Sequence, residues 1–400
     1  MTSMAARTNI AMLVAAAALA AGPASAKVYA ELRPRMTLLS GVDDNVALDG
    51  TGGDYFGRAQ PGLKLDIFGD HRMHVNLDCQ VGLARLGHPD RFSARTDSQF
   101  GTGEQCEGGY TERWSPRLQM HLRSRIGYMQ DPLAISGLGL LLRPGQTQVF
   151  QGRLSGEAEL QTSGRAKWTF GLGSQVLAFG ANDPGNGGYV APSVTYGYRT
   201  TPYVTWEVTG REQLFFGFGA SPSALSSNKA IPGGLLTEAH TAMGGYVRRL
   251  SPVTTLTARA GASYVTGSPS SAFEPVAMLQ IESATPGSGV HFLVMHDLAI
   301  GAARAGAIGS DLAELGLLGT LSKFEGHLRA GIYRNTQVGD WARLGALGYT
   351  GEADLDYRIG KEWTVGVAAL RDARLTDRDV GQQVDRDVVQ LRVTWERARN

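Results

Sequence analysis

Residues 72–86 read Arg-Met-His-Val-Asn-Leu-Asp-Cys-Gln-Val-Gly-Leu-Ala-Arg-Leu. The odd positions Met73, Val75, Leu77, Cys79, Val81 and Leu83 are apolar, while His74, Asn76, Asp78, Gln80, Gly82 and Ala84 between them are polar or small. A period of two sends these sets to opposite faces of a strand, one greasy and one wet. The split recurs along the chain. Leu118, Met120, Leu122, Ile126 and Tyr128 alternate with Arg117, Gln119, His121, Arg123 and Arg125, and Phe324, Leu328 and Ile332 with Glu325, His327 and Arg329. Near the end, Val389, Leu391, Val393 and Trp395 face away from Gln390, Arg392, Thr394 and Glu396. No helical period is as persistent.

A soluble stack of sheets and a membrane barrel both satisfy this alternation, and the connections decide between them. Short turn signals stand at Gly69-Asp70, Ser115-Pro116, Ser163-Gly164, Thr201-Pro202, Ser251-Pro252, Pro286-Gly287, Ser322-Lys323 and Gly360-Lys361, with longer Gly/Pro/Asp-rich stretches between them. Short turns on one side and long loops on the other characterise outer-membrane barrels. The spacing therefore predicts an all-β fold, an integral outer-membrane antiparallel β-barrel of about 18 strands with short periplasmic turns and longer extracellular loops. Strands at 188–200 and 202–219 are expected on either side of Thr201-Pro202. Pro34, Pro61, Pro192 and Pro275 fall inside predicted strands, where pairing on both sides rejects proline. A first hairpin turning near Ala47 or Leu48 sets Pro34 opposite Pro61, where a non-hydrogen-bonded pair needs neither amide. Bulges are expected to hold the other two.

The N-terminus fixes the compartment. Arg7 precedes the apolar run Ala11 to Ala21, followed by Pro23 and Ala24-Ser25-Ala26 before Lys27. This is a cleavable secretory signal over 1–26, with 27–400 left as the barrel and the cell outer membrane, with its lipid, as the expected surroundings. Composition agrees. The chain has 400 residues, 42% hydrophobic, with 53 glycines that suit turns and small-residue strand positions. Two cysteines exclude a disulfide scaffold or a multi-cysteine metal protein, and a formal charge of +1 argues against nucleic-acid binding. Loss of Arg7 takes Lys+Arg from 38 to 37, equal to Asp+Glu at 37. Any selectivity must come from where the charges stand.

Several groups bear on chemistry. Asp43-Asp44-Asn45 with Asp49 and Asp54 offers oxygen ligands, but their spacing does not fit an EF-hand and a turn-forming loop is the better reading. The glycine runs Gly50 to Gly57 and Gly217 to Gly219 lack the strand-turn-helix setting of a phosphate cradle. No metal, cofactor or catalytic residue is therefore expected. Cys79 and Cys106 fall on the same greasy face, and a hairpin turning near residue 92 sets them side by side; a disulfide and two free lipid-facing thiols both remain open. His296 alternates with Phe292, Val294, Leu298 and Ile300 and so faces lipid, where a barrel lipase would need its base. Its expected cross-strand neighbours, Pro275 to Ala277 and Leu315 to Leu317, supply no serine nucleophile. The chain is not expected to be an enzyme.

The wet face carries Arg33, Arg35, Arg117, His121, Arg123, Arg125 and Arg153 from early strands, and Glu157, Glu159, Glu274, Glu282, Glu352, Asp354 and Asp356 from later ones. Both signs line the expected lumen. Mutual neutralisation is one reading, and a field that steers a charged polymer is the other.

The opening motif Gly41-Val42-Asp43-Asp44-Asn45-Val46, followed by Asp49-Gly50-Thr51-Gly52-Gly53-Asp54 and Phe56-Gly57-Arg58, resembles the first hairpin of the outer-membrane β-barrel porins associated with exopolysaccharide export loci. His296-Asp297-Leu298, Gly331-Ile332-Tyr333-Arg334-Asn335, Arg371-Asp372-Ala373-Arg374-Leu375 and the ending Val388 to Glu396 extend the likeness through the mature chain. The resemblance implies secretion of a surface polysaccharide, exopolysaccharide or capsule, together with a periplasmic polysaccharide-export protein. General diffusion of small solutes is the alternative.

Overall fold

A computed structural model describes residues 28–44, 53–69, 72–87, 103–129, 149–179, 193–225, 235–267, 271–300, 307–338, 340–376 and 384–397. The period-two segments all become strands. In chain order these are β1 (Val28–Asp43), β2 (Asp54–Gly69), β3 (Met73–Gln80), β4 (Leu83–Leu86), β5 (Gly103–Ser115), β6 (Leu118–Met129), β7 (Val149–Gln161), β8 (Ala166–Phe179) and β9 (Ser193–Thr209). There follow β10 (Glu212–Leu225), β11 (Leu235–Arg249), β12 (Thr254–Thr266), β13 (Ala272–Thr285), β14 (Ser288–Ile300), β15 (Ala307–Leu321), β16 (Phe324–Gln337), β17 (Asp340–Ile359), β18 (Trp363–Thr376) and β19 (Val384–Glu396).

The strands pair antiparallel in chain order, except that β4 pairs with β2 and β3 with β5, and β19 returns to β1 through Arg35↔Glu396 to Asp43↔Val388. The sheet closes on itself through the β1–β19 pairing, so neither terminal strand is left as the free edge of an open sheet. β3 and β4 share one register against β2, with Gly62↔Gln80 continued by Ala59↔Leu83, and form a single stave interrupted at Val81-Gly82. Nineteen segments thus make eighteen staves, the number the spacing predicts.

The outer wall is apolar. Leu38, Phe216, Ile332 and Leu391 are exposed there, the last two at 62% each, as suits side chains whose solvent is hydrocarbon. Trp114, Trp168, Trp206 and Trp363 stand on the same wall close to the short turns. The opposite face of each strand, carrying most of the charge, lines the interior.

In Gly69-Asp70 the aspartate lies outside the described residues, and six of the eight expected short turns fall where the sequence signals them. Thr201-Pro202 does not: both residues lie inside β9, and the chain turns at Gly210-Arg211. Pro202 is accommodated because the β9–β10 ladder skips from Tyr203 to Thr200, and Pro222 of β10 falls in a second gap, between Ala220 and Ser223. A missing amide costs nothing where no partner awaits it. Pro34 and Pro61 are not opposite each other, since Asp43↔Asp54 sets a register that pairs Pro34 with Leu63 and Pro61 with Met36. Pro192 lies outside the described residues.

Pro275 is held by a parting of strands rather than a bulge. Pairing of β13 with β14 ends at Ala277↔His296, while β13 continues to Ala272 on β12 and β14 continues to Ile300 on β15. Above the parting, inward-facing Ala239, Val265 and Ala272 of β11–β13 pack against Leu298 and Val338, which share the outward parity of β14 and β16. The upper ends of β11–β13 therefore overlap the outer side of β14–β16.

Candidate functional site

Among the described residues, charged side chains from many strands converge on the lumen wall. Alternation fixes which residues reach it, and register fixes which of them meet. On β1, Arg33 binds Asp66 of β2 at 2.7 Å and Glu396 of β19 at 3.2 Å, and Arg35 binds Asp78 of β3 at 2.9 Å. Lys64 adds a contact to Glu396 at 2.9 Å, and His74 one to Asp66 at 3.2 Å. These early-strand cations are neutralised by carboxylates that the sequence separates from them by up to 363 positions.

The expected arginine row on β6 is only partly present. Arg117 lies in the β5–β6 turn, beyond the strand, because Ser115 Oγ accepts the Arg117 and Leu118 amides and closes the turn there. His121 meets Thr111 Oγ1 at 3.1 Å. Arg125 is 3.2 Å from Glu107 and stands directly across from Arg153 of β7. Arg123, two positions along, pairs with Ser155 in the register. Among the described residues, Arg123 and Arg153 have no carboxylate within ion-pair distance. The row that forms is Arg123, Arg125 and Arg153, with three guanidinium groups and one local carboxylate.

Other carboxylates are engaged. Glu157 accepts from Tyr203 Oη at 3.5 Å, Glu159 from Lys167 at 2.7 Å, and Glu282 from Gln280 at 2.6 Å. On β17, Asp354 and Asp356 lie 3.6 and 2.6 Å from Arg392, and Asp354 also meets His327 at 3.3 Å. Glu314 of β15 holds Arg329 at 2.6 Å. Glu352, across the register from Arg329, has no ion-pair partner among the described residues. Opposed staves of an eighteen-stave ring are nine apart, so β6 and β7 look across the lumen at β15 and β16, with β17 beside them. Unpaired cations on one wall face a carboxylate-rich wall on the other.

The remaining candidates fall elsewhere. Cys79 and Cys106 are directly opposed on β3 and β5, their Cα atoms 4.0 Å apart, and are joined by a disulfide on the lipid-facing side. Asp43 is engaged by Arg386, whose Nε donates to both its oxygens at 3.0 and 2.9 Å, and Asp44 accepts the Asp387 amide at 2.6 Å. Asn45 and Asp49 lie outside the described residues. Gly217 to Gly219 are interior to β10. His296 does have Ala277 as one neighbour, but the other is Asp311 and not Leu315 to Leu317. Its Nδ1 is 2.7 Å from Asp311 and its Nε2 is 3.2 Å from Glu274, which is 1% exposed. The overlap of β13 upon β14 covers this histidine, and sequence alternation alone cannot show such an overlap.

No family model matches the sequence, and no curated protein matches it. Solved structures similar in shape include a mutant of the ferric enterobactin receptor PfeA from Pseudomonas aeruginosa, at 11% identity and TM-score 0.47, covering 92% of this chain and 81% of that one. The siderophore receptor PirA from Acinetobacter baumannii matches at 9% identity and TM-score 0.47 over 93% and 81% of the two chains. The copper transporter OprC matches at 11% identity and TM-score 0.45 over 92% and 80%. The closed ring, its apolar outer belt and its charged interior define an integral outer-membrane β-barrel, because hydrocarbon tolerates strands only when their backbone groups are paired.

Proposed function

We propose that the barrel is a secretion channel for a surface polysaccharide, with residues 1–26 directing export and a periplasmic polysaccharide-export protein delivering the polymer. The observation that carries this reading is the lumen-wall row Arg123, Arg125 and Arg153, three guanidinium groups with a single ion-paired carboxylate, Glu107, among the described residues, where most other cations are already paired. Guanidinium groups grip carboxylates and phosphates in two-pronged fashion and stack on planar or ring surfaces, which suits a sliding grip on an acidic sugar chain. An eighteen-stave wall encloses an aqueous channel, and among the described residues every strand belongs to that wall. The ordered motifs that resemble those of exopolysaccharide-associated porins support the same reading.

Replacing Arg123, Arg125 and Arg153 with glutamine tests it. Export of an acidic polymer is expected to fall and single-channel selectivity to shift toward cations, at an unchanged amount of folded barrel. Wild-type export and wild-type selectivity in that variant would show the row to be inert wall. A second reading, general diffusion of small solutes, is favoured by the transverse arrangement of Arg123 and Arg153 against Glu352, which orients any small dipole crossing the lumen. Under that reading, uptake of small solutes changes in the variant while the surface polymer does not.

A further inference from the structure

Arg72, Arg117, Arg165, Arg211, Lys323 and Lys361 stand at or beside the tips of six of the eight short turns, and all six are exposed. Lumenal Arg33, Arg35, Arg259, Arg329 and Arg392 each have a carboxylate within 3.1 Å. None of the six tip cations has an ion-pair partner among the described residues. The acid present in the described turns, Glu362, accepts a hydrogen bond from Trp395 Nε1 at 3.1 Å. The short-turn end of the barrel thus carries positive charge that has no ion-pair partner among the described residues.

The depth of these cations in the membrane is set by the aromatic residues beside them. Trp114, Trp168, Trp206 and Trp363 project from the outer wall at 44 to 57% exposure, each a few positions from a tip cation. Exposed indoles on a barrel wall settle at the headgroup layer, apolar ring toward the acyl chains and N–H toward water. A lysine or arginine on the adjoining turn then lies among the phosphates. We propose that the six tip residues form a binding ring for anionic phospholipid headgroups of the periplasmic leaflet. Each cation near such a surface gains attraction that salt weakens, and six arranged around one ring retain a shell of lipid.

The test uses the full barrel reconstituted in phosphatidylethanolamine vesicles containing a minor fraction of phosphatidylglycerol. Native mass spectrometry then counts the lipid retained. Wild type is expected to keep phosphatidylglycerol preferentially, and replacement of all six residues with glutamine to reduce it at least about fivefold. A variant exchanging Arg for Lys and Lys for Arg at the six sites should retain it, and high salt should strip it. If the six-fold variant fails to insert, two three-fold variants, at Arg72, Arg117 and Arg165 and at Arg211, Lys323 and Lys361, should each lose part of the lipid. Equal retention by wild type and glutamine variants would overturn the proposal. So would unchanged lipid accompanied by loss of current block by dextran sulfate added at the turn side, which would make the ring an inlet for polyanions.

Discussion

Leu77 and Asn76 are adjacent in β3 and face different solvents. Leu77 pairs with Leu65 and Gly108 on the outer wall, and Asn76 with Asp66 and Gly109 on the inner one. Leu77→Arg is therefore expected to destabilise the inserted barrel by about 2–4 kcal/mol near the bilayer midplane. Asn76→Arg should fold as wild type. Urea-induced unfolding in vesicles measures both, and equal stability of the two variants would reverse the assignment of faces. Which wall a residue joins is legible from parity alone, as Arg33, Arg123 and Asp354 demonstrate. Whom it meets is not, because a partner such as Glu396 for Arg33 is brought in by closure of the ring and not by local sequence. His296 marks the limit of parity: Glu274 reaches it only because β13 leaves β14 and crosses over.

Strands β1 and β19 close the barrel, and the residues at their upper ends show why the Gly41-Val42-Asp43-Asp44 motif has its composition. A Cβ on Gly41 would collide with the Val389 carbonyl oxygen, so any side chain there would push the closing strands apart. Asp43 and Arg386 form a buried ion pair across the same seam. Asp43→Ala would remove one carboxylate from the buried Arg386 guanidinium, and a loss of about 1–3 kcal/mol is expected. Heat-modifiable migration should report a lower melting temperature for the variant; an unchanged one would show that the pair does not secure closure. The motif is visible in the sequence as turn-forming acids, but its role needs a strand more than 340 positions away. Thr201-Pro202 misleads for the opposite reason. Proline signals a turn in an isolated segment, whereas here the adjoining strand simply withholds its pairing.

At the scale of the whole molecule, the chain has a formal charge of only +1, yet its charges are not evenly placed. Paired ions hold β1, β2, β3 and β19 together, while Arg123 and Arg153, without an ion-pair partner among the described residues, stand on the wall opposite Glu314 and Glu352. Strand number and the outward apolar belt follow from period and spacing, which is why the fold is readable without a structure. Substrate is less readable, because a lumen is defined by side chains from many strands whose heights depend on register. The most direct measurement is the amount of surface polysaccharide in a strain lacking the gene, with small-solute uptake followed in the same cells. Polymer should disappear from the surface and return when the wild-type gene is restored, with solute uptake intact throughout. Unchanged polymer accompanied by reduced solute uptake would instead make the barrel a diffusion porin and contradict the export function.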